Sequence, residues 1–220
     1  MAGTVTSLKF QQRNPERVSV YLDGEYAFGL AAVEAARLRK GQILSDAEIA
    51  TLKAQDELSR AFDQAVRFLS YRPRSRGEVE RYLRGKAVPQ PAIAEVVARL
   101  EQAGYLDDAA FARFWVEDRE QFKPRSQYAL RYELRQKGVS DAIIAQTLGD
   151  LDDEAAAWQA IASRLPRWAN LPSEQFRQKV AGYLGRRGFG YGIISAILKK
   201  AYQSVEKDAQ TSGDTQTSED

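Results

Sequence analysis

A short segment that recurs three times constrains the fold of this chain more than any other feature. Its copies begin at Leu83, Leu134 and Leu184, so they lie 51 and 50 residues apart. In each copy a leucine leads into a basic turn, and an apolar pair with i, i+4 spacing follows. These pairs are Ile93/Val97, Ile144/Leu148 and Ile194/Leu198. A period near 50 residues is typical of stacked helical repeats, whereas an irregular helical bundle would show it only by accident.

The residues around each copy predict where helices end and begin. Gly138 and Gly188 follow the second and third leucines and can take a left-handed cap, while Gly85 is less well placed in the first copy. Upstream, Arg74-Ser75 and Arg125-Ser126 keep the 51-residue offset, but the third copy has Gln175-Phe176 there.

The helix that follows each turn is expected to start at Pro89 or Pro91 in the first copy, at Ser140 in the second and at Gly190 in the third. Each unit of about three helices is too small to bury much surface alone, so we expect neighbouring units to stack.

The N-terminal 30 residues follow a different, β-type pattern. Two apolar segments flank Asp23-Gly24, a pair that accepts the positive φ angles of a tight hairpin turn. An isolated hairpin is marginal in water, so we expect a third strand from Thr4 to Gln11 or docking on the helices behind it. Ser45 and Glu48 have the spacing of a capping box, which predicts a helix over about residues 46–70.

These patterns predict a mainly α protein with tandem three-helix repeats and a small N-terminal β-hairpin or three-stranded element. The predicted divisions are a hairpin element over 1–30, connecting helices over 31–60, repeats over 61–106, 107–154 and 155–203, and a disordered acidic tail over 204–220. The tail from Val205 onward carries five acidic residues and one lysine without an apolar period, which is why we expect disorder.

Composition narrows the possible chemistry. The chain has neither cysteine nor histidine, so disulfides, ordinary zinc sites and histidine-based triads are excluded. Among these kinds of catalysis, only one that uses Asp and Glu carboxylates remains possible. We expect no enzymatic activity, no cofactor and no metal. The N-terminus lacks a secretory pattern and no apolar run is long enough to span a bilayer, so we expect a cytoplasmic protein.

Charge follows the same period as the repeat. Residues 72–86 hold six basic and two acidic residues, 123–137 hold five and one, and 177–187 hold four and none. If the units stack regularly, Lys86, Lys137 and Arg187 lie at matching positions on a basic ridge. Such a ridge can meet a polyanion or an acidic protein groove, although a helix face is often charged for solubility alone.

Three other patterns have ordinary structural explanations. The glycines at 185, 188, 190 and 192 follow a helix rather than a strand, so a turn is favoured over a phosphate-binding loop. Asp107-Asp108 and Asp152-Asp153 each precede an apolar helix, where capping is favoured over metal or acid–base chemistry. Several aromatic residues could stack on bases, but we expect them in the core: Tyr105, Phe111, Phe114, Trp115, Trp158 and Trp168.

Two segments resemble the signature of the RecX family of regulatory proteins. They run from Leu69 to Arg76 and from Leu100 to Ala112, and they are continued by Phe114, Trp115 and the turn at residues 137–139. The resemblance covers about residues 61–202. It implies an elongated, curved array of three-helix repeats that binds the RecA recombinase, chiefly as its filament on single-stranded DNA. It further implies a monomer that usually restrains RecA during homologous recombination and repair.

If the resemblance holds, we expect basic residues of the repeated segments to contact the filament. The expected interface residues are Arg74, Arg81, Arg84, Lys86, Arg125, Arg131, Arg135, Lys137, Arg186 and Arg187. A direct DNA-binding repeat protein is the first alternative, and a weak direct DNA contact is compatible with both functions. An adaptor for another partner and a carboxylate-based hydrolase or nuclease are the remaining alternatives.

Overall fold

The computed structural model of the chain describes residues 2–12 and 14–214, with side chains as far as Val205. It is mainly helical, with tandem three-helix repeats and a small N-terminal sheet, as the sequence predicts. Its strands are β1 (Gly3–Gln11), β2 (Asn14–Leu22), β3 (Glu25–Ala31) and β4 (Ile43–Leu44). Its helices are α1 (Ala32–Ala35), α2 (Asp46–Ser70), α3 (Arg76–Gly85), α4 (Gln90–Gln102), α5 (Asp108–Phe122), α6 (Gln127–Lys137), α7 (Asp141–Leu148), α8 (Asp153–Ala162), α9 (Leu165–Trp168), α10 (Ser173–Gly185) and α11 (Tyr191–Asp214). The chain divides into two compact units, Met1–Leu106 and Asp107–Asp220.

The first unit begins with an antiparallel sheet of order β3-β2-β1-β4. Asp23 and Gly24 both have positive φ, 49° and 93°, which confirms the predicted hairpin turn. β1 pairs with β2, so the predicted third strand is confirmed as well. The two-residue strand β4 was not predicted. It pairs with the start of β1 and thereby covers part of an edge that would otherwise be open.

Helix α2 connects this sheet to the first repeat. Ser45 and Glu48 form the predicted capping box, and the helix ends at Ser70 as expected. Ala61 and Ala65 of α2 are fully buried against α3 and α4, in a core that includes Leu83 and Leu100. The boundary that we predicted between residues 60 and 61 therefore lies inside a continuous helix. No proline or glycine interrupts α2 at that point.

The second unit contains the other two repeats. Helices α5, α6 and α7 enclose a core around Phe111, Leu130 and Ile144. Helices α8, α10 and α11 enclose another around Ile161 and Val180, with the short helix α9 beside it. Each core is small, and contacts between the two repeats supplement them.

The same turn follows the second helix of every repeat. The carbonyls of Leu83, Leu134 and Leu184 accept hydrogen bonds from the N–H groups five residues later, at 3.2, 3.1 and 3.3 Å. The intervening left-handed residue is Gly138 (φ 87°) in the second repeat and Gly188 (φ 86°) in the third. This arrangement satisfies carbonyls that a helix end leaves free, and it sets the direction of the next helix.

In the first repeat an alanine occupies the left-handed position. Ala87 has a φ of 59°, while Gly85, the glycine in that copy of the motif, remains in helix α3. An L-residue in this conformation brings its Cβ close to the following carbonyl oxygen, at a cost of about 1 kcal/mol. The first repeat thus keeps the hydrogen bonds of the turn and accepts local strain.

The aspartate caps are confirmed, but the core assignment of the aromatic residues is partly wrong. Asp107 and Asp152 each accept hydrogen bonds from two free backbone amides of the following helix. Phe111 is buried, whereas Tyr105 and Phe114 are 55% and 42% exposed. Tyr105 lies edge-on to Phe62 of α2 within the first unit, with 6.4 Å between the ring centroids. Trp115, Trp158 and Trp168 are partly buried and pack against the cores.

The C-terminal helix differs from our expectation. We predicted disorder from residue 204 onward, yet α11 continues through Asp214. Glu206, Lys207 and Ala209 have good intrinsic helix propensity, which favours the continuation of α11. Residues 215–220 lie outside the described part of the chain. No described helix is both long and apolar enough to cross a lipid bilayer.

Replacing Ala87 with glycine should relieve the strain in the first turn. We expect Ala87→Gly to raise the free energy of unfolding by about 1 kcal/mol, because glycine adopts positive φ without a steric penalty. Urea unfolding followed by circular dichroism measures this change. As a control, the same exchange at exposed Ala94 inside α4 should lower stability by about 1 kcal/mol. Destabilisation by both exchanges would contradict the strain at residue 87.

The third turn is close-packed and should not tolerate a side chain. A Cβ at Gly188 would lie 2.7 Å from the Ser126 Oγ and 2.8 Å from the Ala129 Cβ. We expect Gly188→Ala to destabilise the second unit by about 2–4 kcal/mol through backbone strain and overpacking. Thermal unfolding of the full chain would report it. Gly185→Ala, whose Cβ meets nothing within 4 Å, should leave stability unchanged or slightly higher. Equal effects of the two substitutions would disprove the close contact.

Candidate basic binding surface

In the first unit, part of the predicted surface is engaged in packing. The Arg74 guanidinium lies 4.0 Å from the centroid of the Phe68 ring, and its Nε is buried. Burial, and after it the neighbouring Arg72, lower the pKa of Arg74, whereas Glu78 raises it. Phe68 in turn stacks on Tyr82 with 4.1 Å between ring centroids. Arg74 therefore belongs to the structure of the repeat more than to a free surface.

A buried carboxylate organises the start of helix α3. Glu78 accepts a 2.8 Å hydrogen bond from Arg72 and takes part in a capping box with Ser75. Both Glu78 and Ser75 are buried. The other predicted residues of this unit, Arg81, Arg84 and Lys86, are exposed. The Lys86 ammonium lies 5.6 Å from the centroid of the Tyr82 ring.

In the second unit, the Glu133 carboxylate on α6 binds several donors, two from α5 and one from the loop between α5 and α6. It accepts hydrogen bonds from Trp115 Nε1 at 2.8 Å and Arg119 Nε at 3.0 Å, and it pairs with Arg125 Nε at 2.9 Å. The Lys137 ammonium lies 4.7 Å from the centroid of the Trp115 ring. Arg125 and Lys137 are thus partly buried in this network, which joins α5 to α6.

Arg131 and Arg135 lie on the exposed side of α6. Arg135 forms a 2.6 Å ion pair with Asp141, which raises the pKa of the arginine and lowers that of the aspartate. Because both groups are exposed, solvent screens this pair and it contributes little to stability. Tyr128 and Tyr132 share the same helix face and are 76% and 62% exposed. The repeated basic pattern does not identify these tyrosines.

The turn after α10 carries a denser basic group. The Arg187 guanidinium lies 3.7 Å from the centroid of the Tyr183 ring, and that of Arg164 lies 4.7 Å from the same centroid. Arg164 Nε also donates a hydrogen bond to the Tyr183 hydroxyl at 2.8 Å. The backbone N–H of Ser126 donates to the Arg187 carbonyl at 3.2 Å, so this turn contacts the start of α6. Arg164 lies outside the repeated basic segments, so the period could not identify it.

The three matched cations share a feature that the sequence did not predict. Lys86, Lys137 and Arg187 each lie against an aromatic ring of their own repeat. Within the second unit, Lys137 is the last residue of α6, whereas Arg187 contacts Ser126 just before its first. Since α6 has 11 residues, Lys137 and the backbone contact of Arg187 lie at opposite ends of this helix, about 16 Å apart along its axis.

The ten predicted residues thus form two groups. Arg74, Arg125, Lys137 and Arg187 are partly buried among aromatic rings and carboxylates. The exposed members are Arg81, Arg84, Lys86, Arg131, Arg135 and Arg186. Among the residues that the structure describes, no group of three or more carboxylate, histidine or cysteine side chains could hold a metal ion. The chemistry available at this surface is cationic and aromatic.

Comparison with known proteins identifies the family. Four family models match the chain: the regulatory protein RecX N-terminal domain over residues 3–45, and the first, second and third three-helix domains of RecX over residues 61–100, 107–148 and 152–198. The "Regulatory protein RecX" of Bacillus pumilus (strain SAFR-032) is 33% identical over 211 residues, which cover 94% of this chain and 80% of that protein. The chain belongs to the RecX family.

Further RecX proteins agree with this assignment. The "Regulatory protein RecX" of Bacillus subtilis (strain 168) is 32% identical, with the same coverage of both chains. A crystal structure of regulatory protein RecX superposes with a TM-score of 0.69 at 25% identity, covering 89% of this chain and 98% of that one. RecX from Lactobacillus salivarius shares the fold, with a TM-score of 0.60 at 22% identity over 68% of this chain and 99% of that chain. Three-helix domains are therefore a family property, and the curated relatives are named as regulatory proteins.

The Glu133 network should be important for the stability of the second unit. We expect Glu133→Gln to lower the free energy of unfolding by about 1–3 kcal/mol, because two arginines and an indole N–H lose their shared anion. Thermal unfolding monitored by tryptophan fluorescence tests this expectation. Glu174→Gln, which affects only exposed contacts with Arg177 and Gln178, should change stability by less than about 0.5 kcal/mol. Similar losses in both variants would show that the network has no special weight.

Proposed function

We propose that this RecX family member is a non-enzymatic cytoplasmic regulator that binds RecA. In this proposal it recognises the RecA filament on single-stranded DNA and restrains ATP hydrolysis and strand exchange. The observation that carries the proposal is the match of all four RecX domain models, together with relatives named as regulatory proteins. The absence of cysteine and histidine from the chain favours binding over catalysis.

The exposed cations supply the contacts in this proposal. Arg81, Arg84 and Lys86 belong to the first repeat, and Arg131 to the second. A filament repeats its surface, so several repeats of one chain can each make a weak contact that strengthens the others through high effective concentration. A bound protein that fits one filament conformation better than another shifts the filament toward that conformation. Restrained ATP turnover would follow from that shift. In this proposal the partly buried cations support the surface and the exposed ones form it.

RecA-catalysed ATP hydrolysis on single-stranded DNA tests the proposal directly. We expect the wild-type chain, titrated against its cognate RecA, to lower the hydrolysis rate near stoichiometric amounts. Replacing Arg81, Arg84, Lys86 and Arg131 together with alanine should raise the concentration needed for half-maximal restraint at least tenfold. Loss of four charge-assisted contacts is the physical reason. A coupled spectrophotometric assay measures the rate.

A matched control separates these contacts from net charge. Replacing Arg37, Arg39, Lys40 and Arg99 with alanine removes the same charge from exposed positions outside the repeated basic segments. This control should behave as the wild type does. An unchanged hydrolysis rate with excess wild-type protein would contradict the proposed function, and equal loss in both quadruple variants would contradict the proposed surface. Restraint lost only together with affinity for naked DNA would favour the DNA-binding alternative.

A further inference from the structure

A cleft in the first unit lies apart from the basic surface described above. It encloses about 660 Å³ between strand β3 and helix α2. Consecutive residues of β3, 26–29, line it together with Lys53, Asp56, Glu57 and Arg60 of α2. We call it the β3–α2 cleft. None of the ten predicted interface residues lines it, so the functions considered so far do not account for it.

Glycine at position 29 allows polar side chains from three strands to converge in this cleft. A Cβ at Gly29 would lie 3.1 Å from both Arg17 Nη2 and Gln11 Nε2, and 3.8 Å from the Tyr26 hydroxyl oxygen. These three residues belong to β2, β1 and β3. A glycine inside a strand weakens it and often marks a place where other groups approach the backbone closely. The cleft thus collects N–H and O–H donors for a ligand that accepts hydrogen bonds.

A buried carboxylate fixes the Arg17 guanidinium. Arg17 Nη2 donates to Asp56 Oδ2 at 2.8 Å, and among the described residues it has no second acceptor. Its remaining N–H groups are therefore available to a ligand. Lys53 and Arg60 are exposed and form no ion pair with any described residue, while the Lys53 ammonium lies 5.5 Å from the centroid of the Phe28 ring. The three cations suit carboxylates, whose planar form matches a guanidinium.

Two acceptors in the same cleft indicate what kind of anion fits. Asp56 Oδ1 is buried and has no hydrogen-bond donor among the described residues, and Glu57 is exposed. A polymer with negative charge at every unit would be repelled by both carboxylates. A peptide instead brings backbone N–H groups for these acceptors and acidic side chains for the cations. An unsatisfied buried acceptor carries a cost that such a donor would remove.

The position of β3 adds backbone groups to this arrangement. The sheet order is β3-β2-β1-β4, so β3 is an edge strand, and no strand in the described part of the chain pairs with its outer side. Edge strands bind extended peptides through main-chain hydrogen bonds, while neighbouring side chains select the sequence. We propose that the β3–α2 cleft binds an extended acidic peptide segment of a protein partner. Its carboxylates lie at Arg17, Lys53 and Arg60.

Fluorescence anisotropy of a fluorescein-labelled hexapeptide of alternating glutamate and threonine, with the full chain alone, tests the proposal. We expect saturable binding by the wild type. Lys53→Gln/Arg60→Gln should weaken it at least about tenfold, because two charge-assisted contacts are lost. Lys40→Gln/Arg67→Gln removes the same charge from exposed positions of the first unit outside the cleft. This control should bind almost as the wild type does.

A substitution without charge tests the geometry of the cleft separately. Gly29→Ala places a Cβ 3.1 Å from the side-chain nitrogen atoms of Arg17 and Gln11 and should displace both donors. We expect peptide affinity to fall about fivefold, as for the loss of one or two hydrogen bonds. Gly85→Ala, whose Cβ meets nothing within 4 Å, should leave affinity unchanged. Circular dichroism checks that the variants fold.

Two altered peptides separate charge from backbone contacts. A hexapeptide with glutamine in place of glutamate keeps the backbone and should bind at least about tenfold more weakly. A glutamate peptide that is N-methylated at alternate residues keeps the charge but loses N–H donors, so it should also bind more weakly. Equal binding of the methylated and unmethylated peptides would show that the cleft does not recognise a peptide backbone.

Three further results would overturn the inference. The first is no saturable binding of the glutamate peptide by the wild type. The second is an equal loss of affinity in Lys53→Gln/Arg60→Gln and its control. The third is an equal loss of peptide and oligothymidylate affinity in the cleft variant, which would make the cleft a general anion surface. The measurements contain no RecA, and the substituted residues lie outside the proposed RecA surface, so they are independent of the proposed function.

Discussion

The fold depends on one hydrogen bond that recurs in every repeat. In each case a buried leucine carbonyl at a helix end accepts the N–H five residues later, and both residues enter the same small core. This bond decides the direction of the next helix, so it decides how three short helices enclose apolar side chains. It also holds a cation, Lys86, Lys137 or Arg187, beside an aromatic ring. Stability and surface charge thus come from the same six residues.

Much of this could be predicted from the sequence because the relevant interactions are local. The period located the three turns, Asp23-Gly24 located the hairpin, and the capping box at Ser45 located the start of α2. The period compares residues about 50 positions apart, but each turn, hairpin and cap that was predicted involves residues within six positions of one another, where backbone geometry limits the alternatives. The aspartate caps before α5 and α8 succeeded for the same reason.

The remaining features depend on contacts between distant residues. Strand β4 has only two residues, and its extended conformation depends on pairing with β1. Arg164 joins the basic group after α10 through Tyr183, 19 residues away, and no spacing rule links them. Whether Phe114 is covered depends on which helices face it, and a periodic pattern alone does not say. The candidate surface was therefore only partly predictable: the period pointed to its repeated cations, but it did not indicate the rings beside them or the exposed tyrosines.

The N-terminal end of α6 obtains its partners from residues that follow it in the chain. The Asp153 carboxylate accepts from the Gln127 N–H at 2.7 Å, and the Arg187 carbonyl accepts from the Ser126 N–H. The ribosome therefore synthesises the start of α6 before it makes these acceptors, 26 residues ahead of Asp153 and 61 residues ahead of Arg187. During that interval both amides must hydrogen-bond to water. The second and third repeats therefore complete their folding together, late in translation. The first unit ends at Leu106, and its folding does not depend on these two acceptors.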